Sequence, residues 1–482
     1  QANDLLDKRD QLIGELSTYT NVNTIEDQNS VMTVMIGQGT TLVAGITPLT
    51  MQLKSGDPEP LQTELRLVGP NGSVGISEST LGGSLGASFE FRDNHLSQAM
   101  KDIDRLSLAL SSTLNESQTS GLDLNAIQGA NIFSDINTQQ LQEGRALTPT
   151  TNTGTLKAQV NITDISLLTT DEFEVRFDGT DYVMTNMTNG STENLGPPGS
   201  GTYTPSAPSY GFEFIESSGT PLAGDVVLLK PTQDGASLLR TTLTDSSAIA
   251  ASSAVSASPS ANNVSDGKVT ITNVIDPVAA RTFSSTTNDG LLVDVYESSP
   301  GTFSYRVYDG DPLTPPPTPP SVVGAIASGT FLSGTSAVVN MPPAPAPTAF
   351  QFEISGQPTG QGVLAPEKYT IEDAFGIGNG GNALIMSQTQ TQKIVNGGTE
   401  SFSQNLAVST STIGSKASNA ELVSQTAQAL YTQAYNRNQS TSGVNLDEEA
   451  ANLLKFQQAY QASSQIISVA NTLFDTILSA VR

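Results

Sequence analysis

The last forty residues of the chain carry large apolar side chains at every seventh position. The repeat consists of Leu446, Leu453, Tyr460, Ile467 and Phe474. A second row, three residues after members of the first, consists of Phe456, Ala470 and Ile477, with polar Glu449 and Ser463 at its other positions. This spacing is typical of a helix that packs in a coiled coil. We call its large residues the seam: Leu446, Leu453, Phe456, Tyr460, Ile467, Phe474 and Ile477. Because a seam needs a partner helix, the sequence predicts an assembly helix over residues 444–478.

Polar residues beside the seam limit the stability of the helix that carries it. Gln457, Gln458, Gln461 and Gln465 lie near Ser463 and Ser464, so the helix is expected to be marginal alone and to become ordered on binding. An alternative is that the stripe packs inside this chain against its first helix, since many apolar helical stripes are core.

Composition limits the classes of partner. The chain has 482 residues, enough for about three domains by the length prior, and 21 basic against 47 acidic residues give a net charge of −26. That charge repels phosphate backbones and anionic lipid heads, so neither nucleic acid nor membrane is an expected partner. The absence of Cys excludes disulfides and thiolate metal sites.

The first 125 residues are predicted to form the first part of a helical stem. A helix opens after Asn3, with Leu5, Leu12 and Tyr19 at sevens, and it starts without Met, so we expect a preceding portion to have been removed. Short β-type runs interrupted by glycine predict a β-hairpin excursion near 31–67. A second helix is predicted from Asn94 to before Gly121.

Residues 126–380 are rich in Thr, Ser, Gly and Pro and predict all-β structure. One strand is Phe173–Phe177, and a second, Tyr182–Met184, follows the turn Asp178–Asp181. The Pro312–Pro320 tract is predicted to be an extended surface loop.

Two internal echoes suggest that this region holds two related β domains, 126–250 and 251–380. Phe212-Glu-Phe214 with Ser218-Gly-Thr-Pro221 is echoed by Phe350-Gln-Phe352 with Ser355-Gly-Gln-Pro358. Phe173–Gly179 is loosely echoed by Phe303–Gly310. The boundary is expected in the Ala- and Ser-rich stretch 246–263.

Residues 381–482 return to a helical pattern and form the second part of the stem. Another set of apolar residues at seven-residue intervals precedes a predicted loop at Ser440–Gly443. Its members are Leu406, Ile413, Ala420, Ala427 and Ala434, with Val423 and Leu430 three places after two of them. The predicted class is therefore a multi-domain α plus β protein, a coiled-coil-like helical stem with inserted all-β domains.

No constellation of residues predicts catalysis. Gly376–Gly381 fits the GxGxxG pattern after a possible strand at Tyr369–Ile371, but no βαβ unit follows, so a flexible joint is favoured. His95 is the one histidine and lacks an accompanying nucleophile motif, so it is interpreted as an exposed residue at a helix start. Asp309 and Asp311 lack the spacing of a calcium loop. We therefore predict no catalytic, cofactor-binding or metal site, and no cofactor.

Two stretches at the C-terminus resemble the signature of bacterial flagellar axial proteins. They are Ser442-Gly-Val-Asn-Leu-Asp-Glu-Glu-Ala-Ala-Asn-Leu453 with Phe456-Gln-Gln-Ala-Tyr460, and Val469-Ala-Asn-Thr-Leu-Phe474. Nearer the start, Gly82-Gly-Ser-Leu-Gly86 with Phe91-Arg-Asp93, and the opening Asn3–Asp10, resemble the flagellar hook-associated protein 1 family in particular. The resemblance covers the stem, about half the chain.

The resemblance implies an extracellular structural subunit at the hook–filament junction, exported from the cytoplasm by the flagellar type III apparatus. Implied partners are copies of itself in a ring, hook protein, the next junction protein toward the filament, and an export chaperone on the C-terminal helix. In that family N-terminal and C-terminal helices pair, and the N-terminal one is missing here, so this chain is expected to be monomeric. The alternatives are an adhesive module whose β domains bind a surface ligand, or another axial protein of hook or flagellin type.

Overall fold

The computed structural model describes residues 2–27, 31–69, 72–199, 201–206, 209–285, 290–310, 324–358, 360, 362, 365–442 and 446–480. It divides into two units, Gln1–Ser409 and Thr410–Arg482. Helices alternate with antiparallel sheets along the chain, so the predicted α plus β class is confirmed. Within the described ranges, no helix combines the length and apolar character that a bilayer span requires.

The described part of the first 120 residues includes the α-helices α1 (Ala2–Tyr19), α2 (Gly83–Glu90) and α3 (Ser97–Thr119). A π-helical turn, Phe91–Leu96, joins α2 directly to α3. The helix predicted to follow Asn94 therefore begins about ten residues earlier. The prediction was wrong there because Gly83 and Gly86 are poor helix formers and hide the start.

A small β module, residues 22–75, lies between α1 and α2. Its first sheet joins β1 (Val22–Glu26), β2 (Met32–Ile36), β3 (Thr40–Ala44) and β4 (Thr47–Pro48), and its second joins β5 (Thr50–Ser55), β6 (Thr63–Gly69) and β7 (Gly72–Gly75). Ile36, Leu65 and Leu67 are buried in it, and Leu16 of α1 and Phe89 of α2 pack against them. The module is larger than the predicted hairpin and has a core of its own.

The first β sandwich follows the short strand β8 (Gly121–Leu122) and helix α4 (Gln139–Gly144). Its strands are β9 (Ala146–Leu147), β10 (Lys157–Ile162), β11 (Phe173–Phe177), β12 (Tyr182–Asn186), β13 (Thr192–Gly196), β14 (Thr202–Tyr203), β15 (Phe212–Ser218) and β16 (Val226–Leu229). They form the sheets β10-β15-β14 and β13-β12-β11-β16-β9. Aromatic rings join the two sheets, with Phe173 5.1 Å from Phe212 and Tyr182 5.3 Å from Phe214 between centroids.

The second β sandwich follows β17 (Ser252–Ser253), which pairs with β8. Its elements are β18 (Val255–Pro259), β19 (Lys268–Val274), α5 (Pro277–Ser285), β20 (Leu291–Ser299), β21 (Thr302–Asp309), β22 (Ala325–Leu332), β23 (Ala337–Met341), β24 (Phe350–Ser355) and β25 (Glu367–Asp373). They form the sheets β19-β24-β23 and β18-β25-β20-β21-β22. Phe350, Phe352 and Ile354 are fully buried between them. The predicted loop Pro312–Pro320 lies outside the described residues.

The two sandwiches have the same strand order. The strands β9 to β16 of the first sandwich correspond in order to β18 to β25 of the second, so that β9 matches β18 and β16 matches β25. Phe212-Glu-Phe214 and Phe350-Gln-Phe352 begin the equivalent strands β15 and β24, and the glycine after each strand has a positive φ, +83° at Gly219 and +81° at Gly356. A Cβ at Gly219 would lie 2.0 Å from the Thr155 carbonyl oxygen, and a Cβ at Gly356 would lie 2.6 Å from the Asp266 carbonyl oxygen. Both sandwiches therefore need a glycine in the shared Ser-Gly-x-Pro turn.

The second echo does not join equivalent strands. Phe173–Gly179 covers β11, whereas Phe303–Gly310 covers β21, which is the counterpart of β12. Both segments are hairpin strands that end at a positive-φ glycine, and that shared local requirement explains the likeness.

After the sandwiches the chain forms α6 (Gly381–Gln388), a hairpin of β26 (Lys393–Val395) and β27 (Glu400–Ser401), and α7 (Phe402–Ser442). The helical pattern predicted from residue 381 onward is therefore interrupted by this hairpin. The interruption is made by Asn396, Gly397 and Gly398, which all have positive φ. This Asn-Gly-Gly turn favours a hairpin over a helix.

Asn382 at the start of α6 holds both ends of the sandwich insertion together. Its Nδ2 donates to the Ser117 carbonyl of α3 (2.8 Å) and to the Ala250 carbonyl between the sandwiches (2.6 Å). A side chain at Gly121 would lie only 2.1 Å from that Nδ2. The points where the chain leaves α3 and returns to α6 are therefore neighbours.

The second unit consists of the rest of α7 and helix α8 (Leu446–Ala480). Residues 440–442 of the predicted loop belong to α7, and Gly443 lies outside the described residues. Nothing in the sequence of that stretch forbids helix before the glycine, so the loop prediction began too early.

Candidate assembly interface

Helix α8 carries the seam, and local chemistry explains its length. Its 35 residues include neither Gly nor Pro. Asp447, Glu448 and Glu449 occupy the first turn, where negative charge interacts favourably with the positive end of the helix dipole. Residues 446–478 of the predicted assembly helix thus lie on a helix favoured by its own composition, and residues 444 and 445 lie outside the described part of the chain.

All seven seam side chains are exposed, from 54% for Ile477 to 81% for Leu446. The other exposed fractions are 60% for Leu453, 73% for Phe456, 78% for Tyr460, 61% for Ile467 and 64% for Phe474. Burying one such side chain contributes about 1.5–3 kcal/mol, so covering the seam would be strongly favourable. The structure brings the seven residues onto one helix, and their role in assembly stays a prediction.

Two further apolar residues, outside the predicted seam, widen it. Ile466 and Leu473 precede Ile467 and Phe474 by one residue and are 69% and 59% exposed. The C-terminal half of α8 therefore has three adjacent apolar rows where the first half has two. Applying the seven-residue spacing one position earlier would have found them.

The apolar rows predicted on α7 and α1 present less exposed apolar surface than the seam. Leu406, Ile413, Val423 and Leu430 of α7 are 52–67% exposed, but the alanines between them add little apolar area. In the first unit, Leu5, Leu12 and Tyr19 of α1 are exposed, while Leu16 on another side of the helix packs on the small β module. Among the helices of the described residues, α8 alone combines a long row with large side chains.

The features weighed as chemical sites do not form one. Gly376–Gly381 lies between the antiparallel strand β25 and the eight-residue α6, which is not a βαβ unit. His95 is half-buried in the π-helical turn, not exposed as predicted, because the helix already runs past it. The described residues contain no group of three potential metal ligands, and Asp311 lies outside them.

One large cavity, about 680 Å³, lies between α3, α6 and the two sandwiches. The acids in its lining, Glu116, Asp135 and Asp164, each accept a hydrogen bond from a neighbour: Ser112 Oγ, the Asn137 backbone N–H and the Ser166 backbone N–H, respectively. The described lining includes neither His nor a basic residue. The serine hydroxyls in the described lining therefore have no imidazole or amine beside them in the cavity.

Two family models match the chain. The model of the flagellar hook-associated protein FlgK helical domain matches residues 1–133, and that of the flagellar basal body rod FlgEFG protein C-terminal region matches residues 436–480. The second match contains the whole seam.

Curated relatives match over nearly the whole chain. Flagellar hook-associated protein 1 of Escherichia coli (strain K12) is 23% identical over 481 residues, which is 99% of this chain and 64% of that protein. The protein of the same name from Salmonella typhimurium (strain LT2) is 24% identical over 483 residues, with the same two coverages. This chain spans 64% of the length of these relatives.

A solved structure shares the fold. The flagellar hook junction protein FlgK from Burkholderia pseudomallei aligns with 91% of this chain and 78% of its own, at a TM-score of 0.66 and 23% identity. At that identity the likeness supports the arrangement of helices and sandwiches and carries no conclusion about partners.

Proposed function

Because this chain belongs to the FlgK-type flagellar hook-associated proteins, we propose that it is a structural subunit of the bacterial flagellum that joins the hook to the filament. The observation that carries the proposal is the exposed seam of α8, which lies within the segment matched to the axial C-terminal family. An apolar row of this length is stabilised by a helix from another subunit. The subunit contributes no catalysis and acts by binding its neighbours.

The proposed partners follow the same chemistry. They are copies of this protein in a ring, hook protein on one side and the next junction protein on the other. Before assembly an export chaperone would cover α8 in the cytoplasm, since a helix with this much exposed apolar surface is an aggregation hazard. Export through the type III apparatus then places the protein in the extracellular flagellum, where it serves motility.

An adhesive role for the sandwiches is the second candidate. They account for residues 146–229 and 255–373, and their folded cores do not involve the seam. Deletion of 126–380 separates the two functions. Because Gly121 and Asn382 are neighbours, a short Gly-Ser linker can join the remaining parts.

We expect the deletion variant to keep most of the junction function, because the seam and the stem helices remain. The measurement is the fraction of cells with attached filaments in a strain that lacks its own copy of the gene. The matched control is the same deletion with Leu453→Asp and Ile467→Asp, which should lose the function. Filament loss by the first variant, with its helices folded by circular dichroism, would favour a required binding role of the sandwiches.

A further inference from the structure

The turn between β5 and β6, residues 56–62, contacts the first sandwich through charged and polar groups. The backbone N–H of Thr150 donates to Asp57 Oδ1 (2.9 Å) and its Oγ1 donates to Asp57 Oδ2 (2.5 Å). Lys230, which follows β16, forms an ion pair with Glu59. These contacts join parts of the chain that lie 93 and 171 residues apart.

Glu59 is the last member of a row of four alternating charges. Lys230 Nζ also lies 3.2 Å from Glu172 Oε1, and that oxygen lies 2.6 Å from Lys101 Nζ on α3. Lys230 is the most buried of them, with its side chain 10% exposed, while Glu59 and Glu172 are 23% exposed. Burial alone would raise the pKa of Glu172, but its contacts with Lys101 and Lys230 outweigh burial and lower the pKa.

Among the described residues, the buried apolar clusters on the two sides of this contact are separate. The core of the small β module includes Ile36, Leu65 and Leu67, and the core of the first sandwich includes Val175 and Leu229. The two described clusters have no residue in common. Each part therefore buries its own apolar surface whether or not the two touch, and the contact between them rests on charge and hydrogen bonds.

The turn itself is closed and tightly packed. A side chain at Gly56 would lie 2.2 Å from the Gln62 carbonyl and 2.6 Å from the Glu59 carbonyl, and the Gln62 N–H donates to that Glu59 carbonyl (3.0 Å). Asp57 and Glu59 are thus presented together by a closed loop. Little conformational entropy is lost when such a preorganised loop binds.

We propose that this turn is an electrostatic latch that holds the small β module against the first sandwich and can open while both parts stay folded. The order of the charges makes opening inexpensive in free energy. When Glu59 leaves, Lys230 still has Glu172, so no buried cation loses its last partner. The latch makes the angle between module and sandwich depend on ionic strength, which gives the subunit an adjustable joint.

The test measures the distance across the latch in the whole chain. Because the sequence has no Cys, Gln52→Cys on β5 and Thr188→Cys beyond β12 place one spin label on each part at exposed sites. Pulsed electron-spin measurements should give one narrow distance in the parent and at least a tenfold larger open population in Glu59→Gln. Raising NaCl to 1 M should broaden the parent distribution in the same direction.

The control is Glu64→Gln, which removes the same charge from β6, where Glu64 faces Arg66 of its own module at 3.7 Å. Its distance distribution should match the parent. The proposal is overturned if Glu59→Gln keeps the narrow distance. It is also overturned if hydrogen exchange shows that amides of β2 and β6 lose protection in Glu59→Gln, because the turn would then be part of the module's stability and not a latch.

Discussion

Replacing Leu453 and Ile467 with Asp is expected to abolish the hook–filament junction while both sandwiches stay folded. The two residues are separated by two heptads on the seam and are 60% and 61% exposed, so the monomer tolerates the change. In a helix pair each Asp loses about 1.5–3 kcal/mol of apolar burial and places a carboxylate against apolar side chains without a cation. The measurement is filament attachment in cells whose own copy has been deleted, counted by electron microscopy.

The matched control adds the same charges to another side of the same helix. Gln458→Asp and Gln465→Asp lie seven residues apart, on a side of the helix away from the seam. They should support filaments at close to the parent level. Export is checked by the amount of each variant in the culture medium. A seam variant that is exported and still forms the junction would contradict the assignment, as would a control that fails equally.

Phe214→Ala and Phe352→Ala are each expected to destabilise one sandwich by about 3–5 kcal/mol and to leave the other unchanged. The two phenylalanines are fully buried at equivalent positions in β15 and β24, and each belongs to its own core cluster. Removing either ring leaves a cavity that rigid neighbouring strands cannot fill. Hydrogen exchange, followed separately for peptides of each sandwich, measures the effect.

Val338→Ala on β23 is the control, because that side chain is 60% exposed, and it should change stability by less than about 0.5 kcal/mol. Loss of protection in both sandwiches after Phe352→Ala would contradict two separate cores and indicate one cooperative unit.

The spacing of residues in the sequence correctly predicted elements that are formed by local contacts alone. Phe173–Phe177 and the Asp178–Asp181 turn form the β11–β12 hairpin, where Asp178 accepts hydrogen bonds from the N–H groups of Thr180 and Asp181. The seam lies on one helix for the same reason. In both, the residues that form the element are neighbours in sequence.

The misses arise where a local exception interrupts a longer pattern. Three positive-φ residues at 396–398 break a helical region, and the π-helical turn Phe91–Leu96 carries a helix past the expected start. Neither exception changes the spacing of the apolar residues enough to be recognised from the sequence.

The latch could not be predicted, because it depends on the fold. Glu59 is one of 47 acidic residues, and its partner Lys230 lies 171 residues away. The exposure of the seam is likewise a property of the structure, since an apolar heptad in a sequence fits a core helix equally well.

The deciding experiment adds the protein, expressed from its whole gene, to the ends of isolated flagellar hooks, and then adds the next junction protein and filament subunits. We expect the protein to add and filaments to follow, and we expect a variant lacking residues 440–482 to do neither. A folded protein that fails to add, or a variant without the seam that adds as well as the parent, would contradict the proposal that this seam joins the subunit to the flagellum.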